Sequence, residues 1–479
     1  MSTSVSSTGS ISSAGLGSGL DVTSIVSSLM AVESRPLTLL QNSAASLNTQ
    51  VSAFGQLQSL TSGMRDAANA LTSLTLWSQT TSSSSDASSV SVSTSGTAAT
   101  GKYSVSVQNL AQAQTVSSSA FASGSTLVGE GTLTIELGGY ASDGSSTAFT
   151  AKPGSTPISI SIGPGESSLA GIRDKINAAG AGVTASIVTD ASGARLAIRS
   201  SSTGAQNAFR ITTGDSALSG LTYDGSTGAD SAMTLNQSAL DANATINGIA
   251  VTSASNTLDG VADGLTMTLL KTTTSNVDVG VSADSGAVTS AVNKFVSAFN
   301  SLAGYIQTQT KYDAASKTGG VLQGDRTVTQ LQGQLRGIIN QAMTGGKYSV
   351  LSDVGITMQS DGTLAVDNTR LSNAVANRSD LKQLFTAYGD TAATQGFMTR
   401  FRNLGDSLLN QGGAIPTRNT SLQSMLKSNS DSQTSMQNRL DQVQARLQKQ
   451  YQALDTAMAQ LSSTSSYLTQ QLAAMNKTA

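Results

Sequence analysis

Two glutamates six residues apart, Glu130 and Glu136 in "GEGTLTIELGG", are the first pair in this chain that could do acid–base work. Cleaving a glycosidic bond needs two carboxylates opposed across a sugar, with aromatic side chains as a platform. No aromatic flanks this pair, and the two share a strand face only if one strand spans both, so they are expected to be solvated strand-edge acids. The glycines Gly15, Gly17 and Gly19 in "SAGLGSGLDVTSIVSSLM" are a second candidate. A phosphate-cradling turn needs a preceding strand and G-x-G-x-x-G spacing, and both are missing. The run is expected to be a hinge ahead of a helix. Asp-rich turns such as "SDASS", "TDASG", "SDGS" and "YDGSTGAD" lack the alternating ligands and the final Glu of a calcium loop. Turn chemistry accounts for them, because Asp and Ser side chains bond the backbone two residues on.

The missing residue types exclude more than the present ones suggest. The 479 residues include no His and no Cys, which removes Ser-His-Asp and Cys-His catalysis, His- or Cys-ligated zinc, and disulfides. Four Glu are present (Glu33, Glu130, Glu136, Glu166), so acid–base chemistry would rest on Asp. No catalytic residue, cofactor or metal site is expected, and the chain is read as a non-enzyme. A net charge of −2 gives no long-range pull toward nucleic acid or an anionic membrane. No segment approaches the length of a spanning apolar helix, so membrane insertion is not expected. The first charged residue is Asp21, and no compact apolar run precedes it, so a cleaved secretory leader is not expected either.

Something must position a chain that is only 38% hydrophobic and 12% charged, with 46 Gly. Its length suggests about three domains. Asp21 is a suitable N-cap, its carboxylate accepting from backbone N–H groups at a positive helix end. Val22, Ile25, Val26, Leu29 and Met30 then share one helical face. "SRP" at 34–36 should break or kink this run, because proline disfavours helical geometry in the residue before it. Three-four spacing resumes through Leu37, Leu40, Leu47, Val51, Phe54, Leu57, Leu60, Met64, Leu71 and Leu74, ending near Trp77.

The other end mirrors this pattern. Met436, Leu440, Val443, Leu447, Tyr451, Leu454, Met458, Leu461, Leu468 and Leu472 recur near the 3.5-residue period of a heptad seam, with a four-four step at Val443–Leu447–Tyr451 resembling a stutter. Such a stripe on a polar helix needs a partner, and the N-terminal helix of the same or a neighbouring subunit is the expected one.

Between these ends the period changes to two. Tyr103, Val105 and Val107, then Leu265, Met267 and Leu269, then Val277, Val279 and Val281 alternate as half-buried strands do. Asn247-Gly248 in "ATINGIAVTS" signals a two-residue hairpin, and "ASIVTDASGARLAIRSS" reads as another. "SLAGIRDKINAAGAGV" reads as a short helix closing at Gly180. Helical spacing returns from Val288 to Ile306 and in "DRTVTQLQGQLRGIINQAM". A hairpin with Asp361-Gly362 at its turn follows, then helices in "NRSDLKQLFTAYG" and "FMTRFRNLGDSLLN".

Four motifs then resemble a known family. "GLGSGLDVTSIVSSLMAVESRPL", "LQGDRTVTQLQGQL" with "LSDVGITMQSDGTLAVDNTRL", and "ATINGIAVTSASNTLDGVADGLTMTLL" resemble the N-terminal, helical-domain and head signatures of the flagellar filament cap (hook-associated protein 2) family. "DKINAAGAGVTASIV" is similar to the Ile-Asn repeat of hook-associated proteins and some flagellins. The resemblance implies an α+β multidomain fold: helical coiled-coil termini and a helical leg with two inserted β-rich head domains. The corresponding boundaries are 1–40 with 431–479 for the terminal helical coiled-coil region, 41–78 with 285–430 for the helical leg, 79–116 with 238–284 for one β-rich head domain, and 117–237 for a second inserted in it.

The resemblance also implies export through the flagellum's own type III channel and a place outside the cell at the filament tip. There a homo-oligomeric ring of five or six copies would promote the folding and insertion of flagellin. Further implied partners are a hook–filament junction protein and a cytoplasmic export chaperone on the C-terminal helix. On this reading the oligomer or filament interface would use Val22, Ile25, Leu29, Leu40, Leu47, Leu440, Val443, Leu447, Leu454, Leu461, Leu468 and Leu472. A surface adhesin, with its β-rich head binding host mucin or glycan, is the alternative function.

Overall fold

The computed structural model describes residues 21–96, 98–140, 148–226, 231–315 and 317–475. The glycine hinge expected at 15–19, the "SDGS" turn and the end of "YDGSTGAD" lie outside the described residues. Among the described residues ten α-helices follow one another: α1 (Val22–Glu33), α2 (Arg35–Thr72), α3 (Leu74–Ser78), α4 (Leu169–Ala178) and α5 (Ser285–Thr310), then α6 (Arg326–Asn340), α7 (Asn368–Ala376), α8 (Arg378–Thr386), α9 (Phe397–Leu409) and α10 (Ala414–Met475). The chain divides into two compact units, Met1–Ser73 with Val288–Ala479, and Leu74–Ala287. The fold is α+β.

The first unit is helical. Val288, Val292, Phe295, Phe299, Leu302 and Ile306 recur along α5 on one face and are all buried. Phe295 and Phe299 meet Phe401 of α9 with ring centres 5.1 and 5.8 Å away, in the tilted and edge-on geometries that aromatic quadrupoles favour. Beside this cluster Arg400 is 4% exposed. Its Nε donates to Gln395 O at 2.8 Å and its Nη1 to Gln341 O at 2.7 Å. Gln341 is the C-cap of α6, so the guanidinium meets the carbonyl, negative end of a helix. Burial pushes the Arg400 pKa down. A short hairpin, Ile356–Met358 with Leu364–Val366, turns at Asp361-Gly362, and Gly362 sits at φ 85, as such a turn requires.

The second unit holds two β cores. One draws on residues 90–111 and 242–281, with Val105, Val107, Leu265, Met267 and Val279 inside it. Around it stand a five-stranded sheet (Thr80–Ser84, Val277–Ala283, Gly101–Asn109, Ala242–Ile246, Ile249–Ser253) and a three-stranded one (Thr257–Ala262, Leu265–Leu269, Val90–Thr94). Within the larger sheet Asn247 at φ 50 and Gly248 at φ 83 make the two-residue hairpin turn that the sequence signals. The other core lies between residues 116 and 233. It combines two four-stranded sheets with α4, whose Leu169, Ile172 and Ile176 are buried. Gly204, at φ 107, joins the two: a Cβ there would lie 2.6 Å from that of Ala254, and Thr203 Oγ1 donates to Ala254 O at 2.7 Å.

Three expectations need correction. Glu136 is not a solvated edge acid. It lies inside the strand Gly131–Tyr140 opposite Arg210, its side chain is 12% exposed, and Arg210 Nε donates to it at 2.7 Å. A half-buried carboxylate needs such a partner, and the cross-strand register supplies it. Glu130 precedes that strand, so no single strand carries both acids. The N-terminal helix does not run to Trp77: α2 stops at Thr72, Ser73 is extended, and α3 starts afresh. The terminal helix starts well before Met436, where the expected stripe began, at Ala414, with Pro416 in the first turn where its missing N–H is not needed.

Candidate functional site

The residues expected to make contacts all lie on α1, α2 and α10, and their surroundings differ along the helices. The Asp21 carboxylate accepts from Ser24 N at 2.9 Å and caps α1. The break expected at "SRP" falls at Ser34, and Pro36 opens α2. On α2 the half-buried positions Leu37, Leu40, Ala44, Leu47 and Val51 step by three and four to Phe54. Phe54, Leu57, Met64 and Leu71 are fully buried. Facing them, α10 starts from Ile415 and Leu422, both fully buried, and continues through half-buried Leu426, Asn429, Gln433 and Met436 to Leu440, which is 5% exposed. Strict four-three alternation along this stretch keeps one stripe turned to its neighbour.

The base of α10 is fixed by charge as well as by packing. Arg418 Nε donates to Asp325 Oδ2 at 2.9 Å, and the Asp325 side chain is 9% exposed. Its other oxygen accepts from Thr327 N and Val328 N, capping α6. One carboxylate thus closes a helix end and holds α10 to it. The sequence reading did not single out Asp325, although "GDRTV" carries the signal of an N-cap before an apolar-periodic run.

Farther along, α1 lies against α10. Val22 and Val26 are buried, and with Met30 they face Gln444, Gln448 and Gln452 across a cleft of about 270 Å³. Valines here meet glutamine stems rather than leucines, so this contact is shallower than the α2 seam. Past it the cover ends. Leu454, Leu461, Leu468 and Leu472 are 47, 66, 56 and 62% exposed. Leu447 starts this row at steps of seven, and Tyr451, Met458 and Leu472 stand on the adjoining row, so the bare stretch is itself a heptad seam. The frame changes at Val443–Leu447–Tyr451.

The twelve expected contact residues therefore divide. Val22 and Leu440 are buried within the chain, and Ile25, Leu40, Leu47, Val443 and Leu447 are half-buried. Leu29 lies outward with Val32 and Leu39, and the four distal leucines are bare. The surface can hold another apolar stripe, and its groups make or break no bond. Among the described residues no group of three or more acidic side chains could hold a metal ion, and no helix is long and apolar enough to cross a membrane.

The chain matches the flagellar hook-associated protein 2 N-terminus over residues 18–114 and the flagellar hook-associated protein 2 C-terminus over residues 239–463. The flagellin hook IN motif matches residues 140–202, which include the Ile176-Asn177 pair. Flagellar hook-associated protein 2 of Escherichia coli K12 is 34% identical over 96% of this chain and 98% of its own length. The A-type flagellar hook-associated protein 2 of Pseudomonas aeruginosa is 30% identical over 96% of this chain and 97% of its own. The crystal structure of the D1-D2-D3 domains of the Escherichia coli flagellar cap protein FliD matches with a TM-score of 0.57 and 31% identity, covering 78% of this chain and 99% of that one. Motifs, fold and full-length relatives agree: the chain belongs to the flagellar hook-associated protein 2 family, the caps of the flagellar filament.

Proposed function

We propose that this chain works as a ring of five or six copies at the distal, extracellular end of the filament. Its terminal helices grip the shaft and its β-rich head shelters emerging flagellin while that folds and inserts. The four-part division into terminal coil, leg and two nested head domains is the working anatomy of this reading. The observation that carries it is the bare heptad seam on α10 from Leu454 onward. A stripe of leucines left in water is stabilised by a partner, at roughly 25 cal/mol for each Å² of apolar surface covered. A cap that steps from one subunit position to the next needs contacts it can release, and an exposed, marginal seam is released more readily than a buried core. In the cytoplasm the same stripe suits an export chaperone, and on the cell surface a hook–filament junction protein is its first neighbour.

Deleting 431–479 is expected to leave the head folded and abolish capping, with flagellin released into the medium as monomer. A shorter deletion, 454–479, keeps the α2–α10 seam and removes only the bare stripe. It should give the same leakage with an unchanged melting temperature for the purified chain. Filaments of normal length from the shorter deletion would overturn the assignment of function to this seam.

A further inference from the structure

Among the described residues four side-chain amides do what a neighbouring strand does: each bonds both the N–H and the C=O of a single residue. Gln114 holds Phe209 at 2.8 and 3.1 Å. Asn256 holds Ala111 at 2.7 and 3.0 Å, and Asn300 holds Leu364 at 2.6 and 2.9 Å. Asn177 holds Ala185, accepting from its N–H at 2.7 Å and donating to its C=O at 2.9 Å. Gln114 is 1% exposed and works in the interior, whereas the Asn177 residue lies at the surface.

The place of Asn177 gives its amide a different task. Ala185 belongs to the strand Val183–Asp190, which among the described residues is the last in its sheet and pairs on one side only, with Gly193–Ser200. An edge strand presents a row of unpaired N–H and C=O groups, a template on which another strand can add. Alternation along an antiparallel ladder puts the free groups of Ile187 and Thr189 on the same outer side as those of Ala185. Here the edge is uncharged as far as Thr189 and carries Val188 at 53% exposure. The helix α4 ends beside it, with Ile176 fully buried and Asn177 directed to the strand. We infer that Asn177 is an edge stop: its amide occupies the position on Val183–Asp190 where the same strand of a second copy would start to pair, and so keeps heads from joining sheet to sheet.

This role does not depend on filament capping, and the Ile-Asn pair acquires a division of labour from it. Ile176 anchors the helix in the core, and that anchoring aims the next side chain at the edge. An Asp in place of Asn would still accept from the N–H but could not donate to the C=O, so it would do half the work.

The full-length chain tests this directly, since it contains no cysteine. Asn177→Ala should let the Ala185 amide exchange with solvent about tenfold faster. Sedimentation velocity should show its mean mass rising with concentration above that of the parent chain. Val188→Cys in the Asn177→Ala background should then give dimers with a short bismaleimide, whereas Val188→Cys alone should not. Asn177→Asp should fall between the two, and it carries the same readings if the Ala variant does not fold. Faster exchange with an unchanged mass and no cross-linked dimer would reduce Asn177 to a local brace and overturn the inference. Unchanged exchange would deny the bond itself.

Discussion

The two halves of α10 carry the same heptad arithmetic and meet opposite fates. From Ile415 to Leu440 the stripe is covered by its own chain, with Ile415 and Leu422 fully buried; from Leu454 to Leu472 its leucines stand about half or more in solvent. Period alone therefore says that a helix wants a partner, not which partner it gets. Chain geometry decides the rest. The helix α2 is 38 residues long against 62 for α10, and α1 reaches only as far as the glutamines at 444–452. The covered half is a built-in strut, and the bare half is left in solvent. A stutter at Val443–Leu447–Tyr451 marks the change, turning the stripe where one partner ends and another would begin.

The largest test of that contrast pairs two identical substitutions. Leu422→Ala removes a fully buried side chain from the strut, and about 2–5 kcal/mol of stability should go with it. Leu461→Ala, at 66% exposure, should change the unfolding free energy of the purified chain, read by urea titration, by less than about 0.5 kcal/mol yet impair filament growth. Equal losses of stability from both would mean that the distal seam is covered in the free chain, and the contrast would be broken. Next comes the bolt at the foot of the strut. Asp325→Ala deprives α6 of its cap and leaves Arg418 without its carboxylate, for an expected loss of about 2–3 kcal/mol. Asp325→Asn should recover part of that, because an amide oxygen still caps the helix.

How much of this was legible beforehand follows the range of the interactions. Local signals read well. Asp21 as a cap, the break at Ser34, the turns at Asn247-Gly248 and Asp361-Gly362, and the face Leu169–Ile172–Ile176 all depend on residues within a few positions of one another. The heptads on α2 and α10 read well for the same reason. What could not be read is which distant groups meet. Glu136 finds Arg210 74 positions away, Asp325 finds Arg418 93 positions away, and nothing in either neighbourhood names the other. Asn177 looked like one letter of a family motif, and its bond to Ala185 exists only because α4 and the following strand fold back on each other. The start of α10 at Ala414 was not read, because its early stripe of Ile415, Leu422 and Leu426 is interrupted by the polar Asn429 and Gln433 before Met436.

A smaller effect sharpens the contrast from inside the strut. Asn429 and Gln433 put a polar layer into the covered seam, with Gln433 Nε2 donating to Asn429 Oδ1 at 2.6 Å. Polar groups in a coiled-coil seam fix register at a cost in stability. Asn429→Leu with Gln433→Leu should therefore raise stability by about 1 kcal/mol and, by loosening the register, lower the helical content recovered on rapid refolding. A destabilised double variant would show that the pair is an anchor rather than a register mark.

The smallest effect is a control on the turn of the hairpin Ile356–Met358 with Leu364–Val366. The Asp361 carboxylate accepts from the Thr363 hydroxyl at 2.7 Å and from the Thr363 N–H at 2.9 Å. These bonds, the hydroxyl's first, hold its pKa below the usual carboxylate range. A group whose pKa is lowered by folding lends its stability in full above the unfolded value and loses it as the pH falls through the folded one. Asp361→Ala should thus be less stable than the parent chain at about pH 6, and the gap should close toward about pH 3. Because this turn lies on neither half of α10, the difference between Leu422→Ala and Leu461→Ala should persist unchanged in an Asp361→Ala background. If instead the hairpin substitution uncovered the strut, and Leu422→Ala then cost no more than Leu461→Ala, the cover on α10 would belong to the helical unit as a whole rather than to the seam.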